Sequence, residues 1–447
     1  MKKFTLLVVL LLIAAVTLSA CGTPSTDNKG AQSKTEEPQG EITLRFIESL
    51  TSPERTKLLK DLFTKFEAEN PGIKVEIISP PLKEADNKIA QMLMAKQPLD
   101  VVEVREHTAV QFINNNWIEN MDSYVENWEG METLSAAAKK SMTRLEDHAY
   151  LIPYGFYQRC LYYRADWFKE AGLEPPKTWQ ELYDIGKKLT DPSKNRYGYS
   201  FRGGKGGVNY IDMLYWAYLG EDKLASVDAA YFTKDGKSIY STPEAKQALE
   251  FHKKLYTDIS PKDSIQWSFA EMVQGFIGGT TAMLIQDPEV IGTCQKDMEE
   301  GTWATAPMPT GPLGEAHFPN GYAGWGMTSY SEHKDEAWKL IAFLSSEEGN
   351  TKFAKGHSLI PIHLTAPEKD NYFKTGPFSV YITMAKEPEK FIFTMPPQQY
   401  KAFGEHWNTA DQWYQKYLAG TITADECLKH FDEYWSKAYS EEGKLFK

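Results

Sequence analysis

The chain has 447 residues, of which 42% are hydrophobic and 25% are charged. This balance excludes a disordered or fibrous chain, and the length predicts two domains or more. The 49 basic residues against 61 acidic ones give a net charge of −12. Such an acidic surface repels phosphate, so nucleic acid is excluded as an expected partner.

The first residues resemble a targeting signal. Lys2 and Lys3 precede an apolar run that ends in the sequence LSAC at Cys21. A positive start, a short apolar segment and small residues before a cysteine are typical of a bacterial lipoprotein signal. We therefore expect residues 1–20 to be removed and Cys21 to carry acyl chains such as palmitate. Segment 21–41, rich in small and polar residues, is expected to be a flexible tether that holds the body at the outer face of the cell membrane.

The first part of the body alternates strands and helices. Residues 42–47 have a strand pattern, 53–70 form an amphipathic helix, 73–77 alternate again, 83–96 are helical, and 100–104 form a third short strand. A β-α-β-α-β order favours a parallel, doubly wound sheet.

The pattern continues beyond Tyr150. Further strands are predicted at 159–164 and 282–285, and further helices at 166–171, at 178–189, from 242, from about 333 and from 423. The predicted fold class is therefore α/β throughout the body.

Most enzyme signatures are missing from the sequence. There is no nucleophile elbow, no phosphate-binding P-loop and no His-Glu-x-x-His zinc motif. His357 and His363 are expected to be surface residues rather than metal ligands. The run Gly203–Gly207 is expected to be a mobile turn rather than an anion-binding loop. No metal or cofactor is predicted.

Apart from Cys21, which is expected to be acylated, the cysteines are Cys160, Cys294 and Cys427. Their odd number and wide spacing argue against a disulfide framework, and each is expected to be a small buried residue.

Five segments, in this order along the chain, resemble the motifs of one family. They are Phe66–Val75 (FEAENPGIKV), 98–102 (PLDVV), 161–166 (LYYRAD), 171–182 (AGLEPPKTWQEL) and 321–327 (GYAGWGM). They are similar to family 1 extracellular solute-binding proteins, the maltose-binding-protein-like receptors of carbohydrate ABC importers. The resemblance runs from Ile42 to the C-terminus.

The resemblance implies two doubly wound α/β lobes joined by hinge segments, with the ligand in the cleft between them. Because the chain crosses between the lobes, one lobe is expected from 42–153 and 308–346, and the other from 154–307 and 347–447. It also implies a monomer without enzymatic activity that closes on a sugar or oligosaccharide and delivers it to the permease subunits.

Ligands of open α/β sheets bind beyond the carboxyl ends of the strands. This rule and the resemblance together place the candidate ligand-binding residues in four kinds of position: in loops that follow predicted strands, just beyond the first hinge segment, after the glycine-rich turn, and in one glycine-rich strand. The candidates are Glu48, Ser49, Arg105, Glu106, His107, Tyr157, Gln158, Asn209, Tyr210, Trp216, Asp287, Glu289 and Trp325.

Two other functions remain open at this point. Removal of Lys2 and Lys3 takes the charge from −12 to −14, and several candidates are acidic, so the ligand of the receptor could instead be a polyamine or another cation. Two facing carboxylates could also hydrolyse a polysaccharide in a secreted enzyme.

Overall fold

The computed structural model of the protein describes residues 41–143, 148–319 and 321–443. The predicted signal peptide, Cys21 and the tether before residue 41 lie outside these ranges. The described strands are Ile42–Ile47 (β1), Ile73–Ile78 (β2), Val101–Arg105 (β3), Ile152–Tyr157 (β4), Cys160–Tyr163 (β5), Tyr197–Tyr199 (β6), Thr281–Gln286 (β7), Ala304–Ala306 (β8), Ala316–Phe318 (β9), Gly321–Met327 (β10) and Phe391–Phe393 (β11).

Helices cover most of the remaining described residues. They are Pro53–Glu69 (α1), Ala85–Met94 (α2), Glu106–Asn114 (α3), Asp122–Val125 (α4), Ala136–Met142 (α5), Ala165–Ala171 (α6), Trp179–Leu189 (α7), Val208–Leu219 (α8), Pro243–Ile259 (α9), Phe269–Ile277 (α10), Glu289–Asp297 (α11), Lys334–Leu344 (α12), Glu347–His357 (α13), Ala366–Lys369 (α14), Ser379–Ala385 (α15), Ala402–Leu418 (α16) and Ala424–Glu442 (α17). In the described part of the chain, no helix has the length and apolar character needed to span a bilayer.

Several helices begin at the residues that the sequence indicates. Ser52 caps α1 by accepting a hydrogen bond from the backbone N–H of Arg55, and Thr178, Thr242 and Thr423 cap α7, α9 and α17 in the same way. Such caps satisfy an N–H group that the helix leaves free, and each typically contributes about 1 kcal/mol.

The first sheet has the strand order β2-β1-β3-β10-β4. Strands β1, β2 and β3 are parallel, as predicted, and β10 runs antiparallel between β3 and β4. Helix α1 buries Leu59, Leu62 and Phe66 because these residues recur at helical spacing on one face. We call the part built on this sheet the first lobe.

The second sheet has the order β6-β7-β5-β8, with β5 antiparallel to both neighbours and β6 parallel to β7. A separate pair of parallel strands, β9 and β11, lies beside α8. Helix α8 is buried on nearly all sides, which explains its apolar sequence. We call this part the second lobe.

Strand pairing corrects the first two predicted crossings between the lobes. All of β4 pairs with β10, so residues 154–157 belong to the first lobe and the chain crosses at Gln158 and Arg159. Residues 308–318 belong to the second lobe, because Thr310 bonds to Trp179 and β9 pairs with β11. The second crossing therefore falls between β9 and β10.

The third crossing also lies later than predicted. Helix α13 packs on α1 and β4, and Ile360 bridges to Phe156. The segment from 347 to 360 therefore belongs to the first lobe. Short strands carry no sequence signal for which sheet they join, and this explains the differences at the first two crossings. At the third crossing, the apolar face of a helix does not indicate which lobe it packs on.

Candidate functional site

The candidate site lies where the two lobes face each other. β1, β3 and β4 end at this side of the first sheet, and the loop after β7 approaches it from the second lobe. The lobes touch where the ring of His107 stacks on Trp407, with centroids 5.6 Å apart. An ion pair of 3.1 Å between Glu54 and Lys296 adds a second contact. We call the space between the lobes the cleft.

Glu48 follows β1, but its carboxylate is already hydrogen-bonded to other side chains of the protein. It accepts hydrogen bonds from Arg55 at 2.6 Å, from Ser79 at 2.6 Å and from the hydroxyl of Thr56. Arg55 also bonds Glu103 at 3.0 Å. Burial lowers the pKa of Arg55, but Glu103 and the other acidic neighbours outweigh it and keep the pKa above the ordinary value. We call Glu48, Arg55 and Glu103 the floor cluster.

Trp325 is buried in the core above this cluster instead of facing the cleft. Its ring lies 4.4 Å from the ring of Tyr154, 5.2 Å from that of Phe46 and 5.5 Å from that of Phe353. The predicted contact with a ligand does not fit this position, because β10 turns the side chain toward helices α1 and α13. Its indole N–H has no partner among the described residues.

Ser49 lies next to the floor cluster. Its backbone N–H donates to Glu103 at 2.7 Å, while its buried hydroxyl finds no partner in the described part of the chain. A buried hydroxyl without a partner is costly, and a ligand would remove that cost.

Arg105 ends β3 and Glu106 and His107 begin α3, so the three residues lie together at this strand end. Arg105 and His107 both contact the carboxylate of Asp86, at 3.2 and 3.0 Å. Burial raises the pKa of Asp86, but His107 and Arg105 outweigh it and hold the pKa at about 2. Burial and Arg105 lower the pKa of His107, yet Asp86 and Glu106 leave it above its ordinary value.

Asp287 and Glu289 face this group from the second lobe. Burial raises the pKa of Asp287 to about 6, although Arg159 opposes the shift. Burial, followed by the charge of Asp287, raises the pKa of Glu289 to about 7. The Glu289 carboxylate is 3.9 Å from the ring nitrogen of His357, too far for a hydrogen bond.

Arg159 is the main cleft residue that the sequence did not reveal. Its guanidinium carbon lies 4.4 Å from the ring centroid of Tyr210, and its Nε is 3.6 Å from Asp287. The backbone carbonyl of Asn209 accepts a bond of 3.4 Å from the same guanidinium. Arg159 is 4% exposed, and its Nε has no hydrogen-bond partner among the described residues. We call Arg159, Asp287 and Glu289 the wall cluster.

Tyr157 ends β4, and Gln158 begins the first crossing. The hydroxyl of Tyr157 lies 3.1 Å from that of Tyr154, which donates to Glu103 at 2.5 Å. Tyr157 therefore links the cleft to the floor cluster. Gln158 is buried at the hinge.

Two predicted residues lie deeper in the second lobe. Trp216 is buried in α8 and donates its indole N–H to the carbonyl of Ala230 at 2.8 Å, so it is a core residue. The hydroxyl of Tyr210 donates a hydrogen bond to the carbonyl of Ile285, so only its ring contacts Arg159. Both positions follow from α8 being enclosed, which its apolar sequence indicates.

The structure also corrects the predictions for the glycine-rich run and the two histidines. Gly203–Gly207 lies between β6 and α8, and the backbone N–H groups of Gly206 and Val208 hold the carboxylate of Asp411 at 2.7 and 2.8 Å. The run does cradle an anion, but one supplied by its own chain. His357 and His363 are not surface residues, because the ring of His357 packs against Tyr157 and Phe353, and His363 is buried and bonds to Thr133 and to the carbonyl of Ser345.

Cys160, Cys294 and Cys427 are buried and unpaired. Among residues 41–143, 148–319 and 321–443, no group of three or more His, Cys, Asp or Glu side chains could hold a metal ion.

The fold and the cleft define a two-lobed ligand-binding protein. The family model of the bacterial extracellular solute-binding protein matches residues 51–351, and the chain belongs to that family. A protein of Brucella abortus (strain 2308), which carries a provisional name as a binding protein, is 24% identical over 71% of this chain and 76% of its own length.

Two solved structures share the fold. Maltose-bound MalE3 of T. maritima has a TM-score of 0.76 and is 21% identical, over 88% of this chain and 98% of that one. An ABC transporter solute-binding protein of Thermotoga lettingae TMO, bound with α-D-tagatose, has a TM-score of 0.76 and is 23% identical, over 90% of this chain and all of that one.

Proposed function

We propose that the protein is the lipid-anchored receptor of an ABC importer, and that it captures a sugar or oligosaccharide in the cleft and delivers it to the permease. The observation that carries the proposal is the set of buried polar atoms without partners among the described residues: Ser49 Oγ, His107 Nδ1, Arg159 Nε and His357 Nε2. Three of them lie in the first lobe, and Arg159 lies at the hinge, 3.6 Å from Asp287 of the second lobe. A sugar offers hydroxyl groups that both donate and accept, so one ligand could satisfy all of them at once.

Hinge closure fits the same geometry. The first lobe contributes His107 and the second contributes Trp407, so part of the cleft exists only when the lobes approach. A ligand that contacts both lobes binds the closed state more tightly and shifts the population toward it. The bound sugars of the two similar structures support this ligand class. Membrane anchoring is supported by the sequence around Cys21.

Thermal unfolding of the full chain in mild detergent tests the proposal. We would scan mono-, di- and oligosaccharides, with spermidine and putrescine alongside. A ligand at 100 times its Kd adds about 2.7 kcal/mol of stability, which raises the melting temperature by a few degrees. A shift with one saccharide class is the expected result. A panel of saccharides without any shift would contradict the proposal.

A cationic ligand such as a polyamine is the second candidate. It is favoured by the raised pKa values of Asp287 and Glu289, because a cation between two buried carboxylates would relieve their repulsion. Asp287→Asn separates the two candidates. It should abolish binding of a cation but only weaken binding of a neutral sugar, and the same thermal scan measures both.

A further inference from the structure

A groove on the first lobe lies apart from the cleft. Its volume is about 740 Å³, and it is lined by α4, the turn after it, the middle of α12 and the start of α13. None of its lining residues belongs to the floor cluster, the wall cluster or the loops that contact them. We call it the lateral groove. Its volume is that of a ligand-sized site, larger than a single side chain needs.

Three half-buried rings form one wall of the lateral groove. Trp338 lies 5.4 Å from Tyr124 and 6.1 Å from Trp128, and the two indoles are nearly perpendicular at 83°. Gly130 allows this arrangement, because a Cβ at that position would lie 2.2 Å from Cζ2 of Trp128. The rings therefore form a continuous aromatic surface that is partly open to solvent.

Most hydroxyl groups of the lateral groove are already used. Thr133 pairs with His363 at 2.8 Å, and Ser346 donates to the carbonyl of Phe343 and accepts from the N–H of Gly349. Ser123 and Asn127 can both donate and accept, and the charged residues that line the groove are all carboxylates, of which Glu347 is paired with Lys369. Exposed Glu129 and Glu132 form no ion pair with any residue that the structure describes.

The surrounding sequence reinforces this imbalance. From residue 106 to residue 138 there is no lysine or arginine, while five acidic residues lie between 119 and 132. A guanidinium or ammonium group needs acceptors and an aromatic face, and unpaired carboxylates beside the three rings supply both.

We infer that the lateral groove is a docking surface for a basic segment of a partner protein. An arginine or lysine of that segment lies over Trp128 and Trp338, and Glu129 and Glu132 neutralise its charge. A small polyamine has the same chemistry but would fill only part of the groove, so an extended peptide segment is the occupant that suits its volume.

Fluorescence anisotropy with a labelled peptide of alternating arginine and alanine tests this inference on the full chain in mild detergent. Glu129→Gln with Glu132→Gln should weaken binding about fivefold, because two exposed charge interactions are lost. Neither side chain is buried, so the fold should persist. Glu433→Gln with Glu441→Gln, on exposed positions of α17, is the matched control and should leave the affinity unchanged.

The outcomes separate the inference from its competitors. Peptide binding that falls equally in both pairs of variants would reveal only general attraction to an acidic protein, and it would overturn the inference. So would absence of peptide binding, or displacement of the peptide by spermidine or a saccharide at equal concentration. Asp287→Asn should leave peptide binding intact. Loss of peptide binding at the lateral groove can therefore be distinguished from loss of ligand binding in the cleft.

Discussion

The floor cluster and the wall cluster use the same residue types for opposite purposes. In the floor cluster the two terminal nitrogens of Arg55 lie 2.6 and 3.0 Å from Glu48 and Glu103. In the wall cluster Arg159 lies 3.6 Å from Asp287, and Glu289 is 3.9 Å from its nearest histidine nitrogen. Removing one partner from a satisfied buried ion pair destabilises the fold because the other charge is left unpaired, whereas a buried charge that is short of partners is available to a ligand.

The largest expected effect comes from breaking the floor cluster. Arg55→Met removes the cation between two buried carboxylates, and loss of one partner from a buried pair typically costs about 3–5 kcal/mol. Urea unfolding followed by circular dichroism measures this cost. Arg45→Met is the matched control, because its pair with Glu76 is exposed and should contribute under about 1 kcal/mol. Equal losses in both variants would contradict the distinction between the clusters.

The wall cluster should behave in the opposite way. Asp287→Asn should leave the ligand-free protein as stable as the wild type, because the charge it removes is only partly compensated. Its affinity for a sugar should fall by about 1–3 kcal/mol, because a hydrogen bond from the ligand loses its charged acceptor. Titration calorimetry with the ligand found in the thermal scan measures the change. Asp184→Asn, on an exposed turn of α7, is the control that should bind normally.

A third buried carboxylate extends the comparison to pH. Asp212 accepts from Tyr231 at 2.6 Å, and burial raises its pKa to about 8. Its folded pKa lies above the ordinary value, so its contribution to stability is complete below about pH 4 and is lost as the pH rises to about 8. Asp212→Asn should remove this dependence and raise the melting temperature at pH 8 by several degrees relative to the wild type. If the difference in melting temperature between Asp212→Asn and the wild type is the same at pH 5 and at pH 8, this role of Asp212 is excluded.

The contact between the lobes should have the smallest effect. Trp407→Ala removes the ring that stacks on His107, and an aromatic pair of this kind contributes about 0.5–1.5 kcal/mol. The expected loss of ligand affinity is therefore about tenfold or less, without a change in the stability of either lobe. Trp413→Ala is a useful comparison, because that ring stacks on His430 within the second lobe and should not affect affinity.

Local structure was largely predictable from the sequence. The parallel β1, β2 and β3 and the helices capped by Thr178, Thr242 and Thr423 follow from periodicity and capping, which act over a few residues. The loops after β1, β3 and β7 were also predictable, because a strand end fixes where the next residues emerge. The strands at the lobe boundaries were not, since pairing between distant segments decides them.

The candidate site divides along the same line. The sequence by itself determined the alternation of strands and helices, the family, and the placement of Arg105, Glu106, His107, Asp287 and Glu289 beside the cleft. Only the tertiary structure decided which polar groups are already satisfied. In the folded protein, Glu48 is paired with Arg55, Trp216 and Trp325 are buried in the cores, and Arg159 and Trp407 lie at the cleft. Hydrogen bonding and burial depend on partners that are distant in the chain, and no local pattern records those partners.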